Sequence, residues 1–125
     1  MEKKKSNSDV KRIIQKFLTS NNAFECLTWL SESKTQKRTL GEDTNPKDSV
    51  ALITSLYDAG ARKVWVFDID DYGPEGQNSG KLIIELPDDP SQRLRILTIC
   101  GDIAHRLGYE PENDTNQEAI FIMLD

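Results

Sequence analysis

Three short apolar runs constrain the fold of this chain more than any other feature of its sequence. They are RKVWVFDI (residues 62–69), KLIIELP (81–87) and EAIFIMLD (118–125). Each is rich in β-branched and aromatic residues and too short for a typical helix, so each predicts a strand. Because the runs are so apolar, we expect the sheet to be covered on one face and partly on the other.

Two helices are marked out between these runs by strong start and stop signals. Asn45 followed by Pro46, and Asp89 followed by Pro90, combine an N-cap residue with a proline at the first helical position. A glycine follows the apolar face of each helix, as at Gly108. The order after residue 41 is therefore α-β-β-α-β. The apolar face predicted for the second helix consists of Leu94, Leu97, Cys100, Ile103, Ala104 and Leu107.

The predicted class is α+β, with two helices packed on a small mixed or antiparallel sheet. A strand within residues 35–41 would complete the ferredoxin-like order βαββαβ. That strand lies at the centre of the ferredoxin-like sheet, and TQKRTLG (residues 35–41) is very polar for such a position. The alternative is a truncated αββαβ order, in which the last strand lies parallel to KLIIELP after a helical crossover.

The first 40 residues predict a helical hairpin that precedes this domain. SDVKRIIQKFLTS (residues 8–20) and NNAFECLTWLSES (21–33) both place apolar residues at helical spacing. Residues 1–40 hold nine Lys and Arg against four Asp and Glu, a net charge of +5, whereas residues 41–125 hold seven against seventeen, a net charge of −10. We therefore predict a basic N-terminal segment (1–40) and an acidic α+β domain (41–125) that attract each other.

Composition limits the class of protein further. A chain of 125 residues is about one domain's worth, and no apolar run approaches the ~20 residues that span a bilayer. No apolar segment follows the basic start as in a secretory signal, so a cytoplasmic location is the default expectation. Cys26 and Cys100 are expected to be reduced and buried, and with His105 as the single histidine no zinc-ligand spacing is present. No cofactor is predicted.

The stretch VWVFDIDDYGPEGQNSG (residues 64–80) carries the strongest sign of chemistry. Asp68 and Asp70 resemble the paired aspartates of haloacid-dehalogenase-like phosphatases, but Tyr72 replaces a small residue of that motif and its further motifs are missing. A calcium loop starting at Asp68 would have Ser79 where the bidentate glutamate is needed. The simpler interpretation is a solvated acidic hairpin loop. Strand alternation predicts that Asp68 and Asp70 share one face and that Asp71 points away.

We expect a small non-enzymatic protein that binds another protein, such as a regulatory or immunity-like module. A long acidic loop would steer a basic partner towards it. One alternative is a ligand-binding ferredoxin-like regulatory domain that self-associates through a sheet edge. A second is a metal-dependent hydrolase that uses Asp68 and Asp70, which are weak metal-ligand candidates. The candidate partner-binding residues are Asp68, Asp70, Asp71, Tyr72 and Glu75.

A cluster of basic residues near the N-terminus raises a further alternative. Their side chains could contact nucleic-acid phosphates or an anionic membrane surface. The simpler interpretation is a solvated helix face. The residues are Lys3, Lys4, Lys5, Lys11, Arg12 and Lys16.

Residues 48–125 resemble a group of small bacterial proteins. The shared features are SLYDAGARKVWVFDI (an LYxAGA helix end), KLIIELPDDP (a VELPDDP strand-to-helix corner) and NDTNQEAIFIMLD (a DTGQ lead into the last strand). This chain has Asn116 where the group is expected to have glycine. The resemblance implies no activity, and it supports a domain boundary near residue 41.

Overall fold

The computed structural model describes residues 7–33, 36–42 and 45–125, with side chains in the first helix from Lys11 onward. The chain is an α+β protein with a four-stranded antiparallel sheet and a smaller mixed sheet, so the predicted class and the antiparallel sheet are confirmed. The elements are α1 (Asn7–Ser20), β1 (Phe24–Glu25), α2 (Cys26–Glu32), β2 (Arg38–Leu40), α3 (Pro46–Asp58), β3 (Lys63–Phe67), β4 (Asp70–Asp71), a 3-10 turn (Gly73–Glu75), β5 (Gln77–Ser79), β6 (Lys81–Glu85), α4 (Pro90–Leu107) and β7 (Ala119–Met123).

The larger sheet has the strand order β1-β3-β6-β7, and each neighbouring pair is antiparallel. Successive side chains of a strand point to opposite faces, so each apolar run contributes apolar side chains to both faces of the sheet. One face belongs to the main core, which also contains side chains of α2, α3 and α4. The strand side chains in that core are Val64, Val66, Leu82, Ile84, Ile120 and Ile122.

α1 packs on the other face of this sheet. Leu18 is buried in a second cluster with Phe67 and Ile83. The ring of Phe67 also meets Phe17 edge to face, with 5.3 Å between centroids. Coverage is partial, because Phe121 on β7 remains 44% exposed. The expectation of one covered face and one partly covered face is confirmed.

The predicted starts of α3 and α4 are confirmed. The side chain of Asn45 accepts a hydrogen bond from the Asp48 N–H at 2.9 Å, and that of Asp89 accepts one from the Gln92 N–H at 2.9 Å. α4 ends at Gly108, whose φ of 81° lies in the left-handed region that glycine tolerates best. Capping and proline therefore define both helices locally.

The buried face of α4 differs from the prediction at its N-terminal end. Leu94 was expected in the core, but it is 67% exposed, whereas Arg93 is only 5% exposed. Positions 93, 97, 100 and 103 follow one helical face and are all buried. Leu94 lies about 100° around the helix from Arg93 and therefore faces solvent.

A strand does form near residue 40, but it lies in the smaller sheet, so the ferredoxin-like order is not confirmed. β2 pairs in parallel with β5, and β5 pairs antiparallel with β4. The polarity of β2 explains this position. The side chain of Arg38 donates to Gln77 at 2.9 Å, and the hydroxyl of Thr39 accepts from Asn78 at 2.9 Å. The centre of the apolar sheet offers no such polar partners.

The last strand lies antiparallel to β6, so the parallel crossover of the alternative αββαβ order is wrong. Residues 108–118 run back along α4 before β7 begins. Pro111 lies beside Gly101 in the middle of the helix, and Asp114 binds Arg93 near its start. This return brings the chain back to the end of the sheet where β6 ends, because Ala119 pairs with Glu85.

The predicted N-terminal helical hairpin is not confirmed. Phe24 and Glu25 leave the helix and pair with β3, and α2 begins at Cys26. The Glu25 carboxylate caps α2 by accepting from the Leu27 N–H at 3.1 Å and the Thr28 N–H at 2.8 Å. α1 and α2 pack on opposite faces of the sheet. Both predicted segments, 1–40 and 41–125, contribute side chains to the main core.

Candidate protein-binding groove

Asp68 lies where β3 ends and the acidic stretch begins. Its φ of 52° is left-handed, which turns the chain out of the sheet. Phe67, the last residue of β3, pairs with Lys81, the first residue of β6. The Lys81 ammonium therefore lies next to the Asp68 carboxylate and forms an ion pair with it. The hydrogen bond and the charge of Asp68 raise the pKa of Lys81.

The acidic stretch forms a short hairpin of β4, the 3-10 turn and β5, which we call the acidic hairpin (residues 68–79). The Asp71 carboxylate holds its turn by accepting from the Gly73 N–H at 2.8 Å and from the Gln77 side chain at 3.2 Å. These bonds lower the pKa of Asp71, the one from Gly73 most strongly. Tyr72 and Glu75 are exposed on the turn. The predicted loop therefore has a fixed internal structure.

An open groove of about 510 Å³ separates the acidic hairpin from α2 and the α1–β1 connection. We call it the acidic groove. Three carboxylates line it, from Glu32, Asp68 and Asp71. Its other lining residues are Asn21, Asn22, Phe24, Trp29, Arg38, Ile69 and Gln77.

Arg38 is the one cation among the described lining residues, and its guanidinium is already bonded to other groups of the protein. Its guanidinium donates to the carbonyl of Trp29 at 2.6 Å and to Gln77 at 2.9 Å. It also lies 5.2 Å from the centre of the Trp29 ring, a cation–π distance. No local sequence signal identifies Trp29, Arg38 or Glu32 as neighbours of the acidic hairpin, because the β2–β5 pairing that brings them there is long-range.

The structure does not bring all the candidate residues together at one site. Asp68 and Asp71 line the acidic groove, whereas Asp70 does not. The groove brings Asp68 together with Asp71, because the left-handed φ of Asp68 interrupts strand alternation. Asp70 lies outside this lining, and its charge, like that of Asp68, raises the pKa of Lys81. Tyr72 and Glu75 line a neighbouring depression.

Other groups with potential chemistry lie apart from the groove. Within the described ranges, no group of three or more His, Cys, Asp or Glu could hold a metal ion. Both cysteines are free and buried. Burial raises the pKa of Cys26, and it raises that of Cys100 to about 12, so the thiols stay protonated at neutral pH. His105 is exposed near the end of α4.

Arg93 forms a buried polar cluster that the sequence patterns did not predict. Its guanidinium binds the Asp114 carboxylate through two nitrogens, at 2.8 to 3.2 Å, and the carbonyl of Pro87 at 3.1 Å. It also donates to Gln117 at 3.1 Å. The stretch DTNQ (residues 114–117) thus ties the segment before β7 to the start of α4. Asn116 has a φ of 62°, which fits a position where glycine was expected.

Comparison with protein-family models, with curated proteins and with solved structures found no match to this chain. Across the described residues, no helix has the length and apolar character needed to cross a membrane. The geometry of the groove is therefore the main guide to function.

Proposed function

We propose that this protein is a non-enzymatic binding module, of the regulatory or immunity-like kind, that receives a basic segment of another protein in the acidic groove. The observation that carries the proposal is the charge of the groove. Glu32, Asp68 and Asp71 line it together, and the guanidinium of Arg38 is already bonded to Trp29 and Gln77. Asp68 also forms an ion pair with Lys81, so a cation of the partner would share or replace that contact.

A lysine or arginine side chain suits this groove in two ways. Its charged end would meet carboxylates, and its aliphatic stem would lie against Phe24, which is 41% exposed. Glu32 adds to the negative potential because it ends α2, where the helix carbonyls already carry partial negative charge. Such a field speeds association with a basic partner.

The alternatives have less support. The strand order gives no basis for a ferredoxin-like ligand-binding domain. For a hydrolase that used Asp68 and Asp70, the described residues hold no group of three or more His, Cys, Asp or Glu placed to bind a metal ion. Contact of the basic residues near the N-terminus with nucleic acid or membrane remains a prediction, as does a cytoplasmic location. Lys3, Lys4 and Lys5 lie outside the described residues.

Carbodiimide cross-linking tests the proposal, because this reagent joins carboxylates directly to lysines in contact with them. We expect adducts of the full chain in a lysate of its source cells to join Glu32, Asp68 or Asp71 to lysines of one partner. The double variant Glu32→Gln/Asp68→Asn should lower their yield at least fivefold. The matched control Asp58→Asn/Asp102→Asn removes the same charge from exposed positions outside the groove and should leave the yield unchanged.

Two results would contradict the proposal. One is a set of adducts spread evenly over the exposed carboxylates of the chain. The other is a groove variant that cross-links as well as the control variant while its melting temperature matches that of the wild type.

A further inference from the structure

The other edge of the larger sheet, formed by β7, is a second surface with the features of a binding site. β1 contributes Phe24 to the acidic groove, and β7 lies three strand spacings away, about 14 Å. β7 has the sequence AIFIM, with no charge, proline or glycine. Protein sheets commonly protect their edges with such residues, since an open edge pairs readily with other strands.

The backbone groups that β7 offers can be deduced from its pairing with β6. The Leu86 N–H donates to the Glu118 carbonyl at 2.8 Å, and the Leu124 N–H donates to the Gly80 carbonyl at 2.8 Å. Since hydrogen-bonded positions alternate in an antiparallel pair, the even-numbered residues of β7 face β6. Ala119, Phe121 and Met123 therefore direct their N–H and C=O groups outward. No backbone group of another described segment bonds to these three residues.

The side chains beside this edge suit an added strand. On one face Phe121 is 44% exposed, and its ring lies 5.7 Å from that of Phe67. On the other face an opening of about 130 Å³ lies between β7 and the chain after α4. Alternate side chains of an added strand would meet these two surfaces. The opening is lined by Cys100, Ala104, Tyr109 and Ile122, together with the carboxylate residues Glu110 and Glu112.

The charge around β7 indicates what kind of strand fits. Residues 108–125 contain five carboxylates and no Lys, Arg or His. Glu110 and Glu112 line the opening, and Glu118 and Asp125 flank the strand. A symmetric antiparallel pair of two copies centred on Phe121 would place Glu118 of one copy opposite Leu124 of the other and would bring the acidic ends of both strands together, which is unfavourable. A segment with basic ends is complementary instead.

We propose that the β7 edge accepts an extended segment of another protein as a fifth strand of the larger sheet. This segment is apolar at the positions beside Phe121 and carries Lys or Arg at its ends. The proposal does not depend on the acidic groove, since none of the groove residues lies on β7.

A displayed library of random twelve-residue peptides, selected on the full chain, tests this proposal. We expect selected peptides to alternate apolar residues in a central run and to be enriched in Lys and Arg at the ends. The variant Met123→Pro removes an outward N–H without removing a hydrogen bond to β6. It should weaken binding of the selected peptides at least tenfold, whereas Tyr72→Ala, on the acidic hairpin, should not.

NMR titration of the labelled chain with the tightest peptide provides a second readout. The amides of Ala119, Phe121 and Met123 should shift and exchange more slowly with solvent.

Three results would overturn the proposal. The first is that no peptide is enriched, and the second is that the peptides bind Met123→Pro equally well while that variant stays folded. The third is that ultracentrifugation shows a dimer that this substitution dissociates. The last result would assign the edge to a second copy of the chain. The groove variant Glu32→Gln/Asp68→Asn should bind the peptides normally, which separates this test from that of the proposed function.

Discussion

Arg93 carries a full charge in the interior, with 5% of its surface exposed. Burying a charge costs several kcal/mol unless partners replace its hydration. Here Asp114, Pro87 and Gln117 supply four acceptor atoms, and they hold the chain before β7 against the start of α4. The pKa of Asp114 is lowered, chiefly by its hydrogen bonds with Arg93. The cluster thus positions β7, the strand proposed to bind a partner.

We predict that Asp114→Ala destabilises the protein because it leaves the buried Arg93 without its counter-charge. The melting temperature should fall by roughly 10 °C. The double variant Arg93→Met/Asp114→Ala removes both charges and should be more stable than the single variant. Thermal unfolding followed by circular dichroism measures both. A double variant less stable than Asp114→Ala would show that the ion pair is not the main role of Asp114.

At the scale of elements, Glu25 joins three parts of the fold. It is the last residue of β1, it caps α2, and its carboxylate accepts a hydrogen bond from the Tyr57 hydroxyl of α3 at 2.6 Å. That hydroxyl in turn accepts from the Val64 N–H of β3 at 2.9 Å. One hydroxyl therefore connects the N-terminal segment with both α3 and the larger sheet.

Tyr57→Phe should lower the free energy of unfolding by about 1–3 kcal/mol, because the Val64 N–H loses its acceptor and Glu25 loses a donor. Urea unfolding monitored by fluorescence provides the measurement. Tyr72→Phe is the matched control, since Tyr72 is 58% exposed, and it should change stability by less than about 0.5 kcal/mol. Equal effects of the two substitutions would contradict this account of Tyr57.

At the scale of the whole molecule, ionisable groups limit the pH range of stability on both sides. Burial alone would raise the pKa of Glu25, but its hydrogen bonds from Tyr57, Thr28 and Leu27 lower it below the ordinary value. Asp71 and Asp114 also have lowered pKa values. Burial raises the pKa of Cys26, Cys100 and Tyr57 above their ordinary values.

The free energy of unfolding should therefore be greatest between about pH 5 and 8. The carboxylates contribute stability above their unfolded pKa values, and this contribution is lost as pH falls through their lower folded values. The thiols and Tyr57 contribute stability below their unfolded pKa values, and this is lost as pH rises towards their higher folded values. Urea unfolding at half-unit steps from pH 2.5 to 10 tests this. Glu25→Gln should flatten the acid side, and an unchanged acid slope would argue against its role.

Long-range pairing explains where prediction from the sequence succeeded and where it failed. The starts of α3 and α4 were predictable because a cap and a proline act on residues within one turn. The positions of β2 and α1 were not, because neither has a local signal for its partner. Arg38 meets Gln77, which is 39 positions away, and Leu18 meets Phe67 and Ile83. The acidic groove depends on these same contacts.

Local sequence patterns were enough to predict the α+β class, the three long strands, and the limits of α3 and α4. These features follow from caps, turns and the spacing of apolar residues, which act over a few positions. The tertiary structure alone decided that α1 and α2 lie on opposite faces, that Arg93 is buried and that Asp68 and Asp71 share a groove with Glu32. Those outcomes depend on which distant segments bury each other's apolar surface, and that is a property of the whole packed chain.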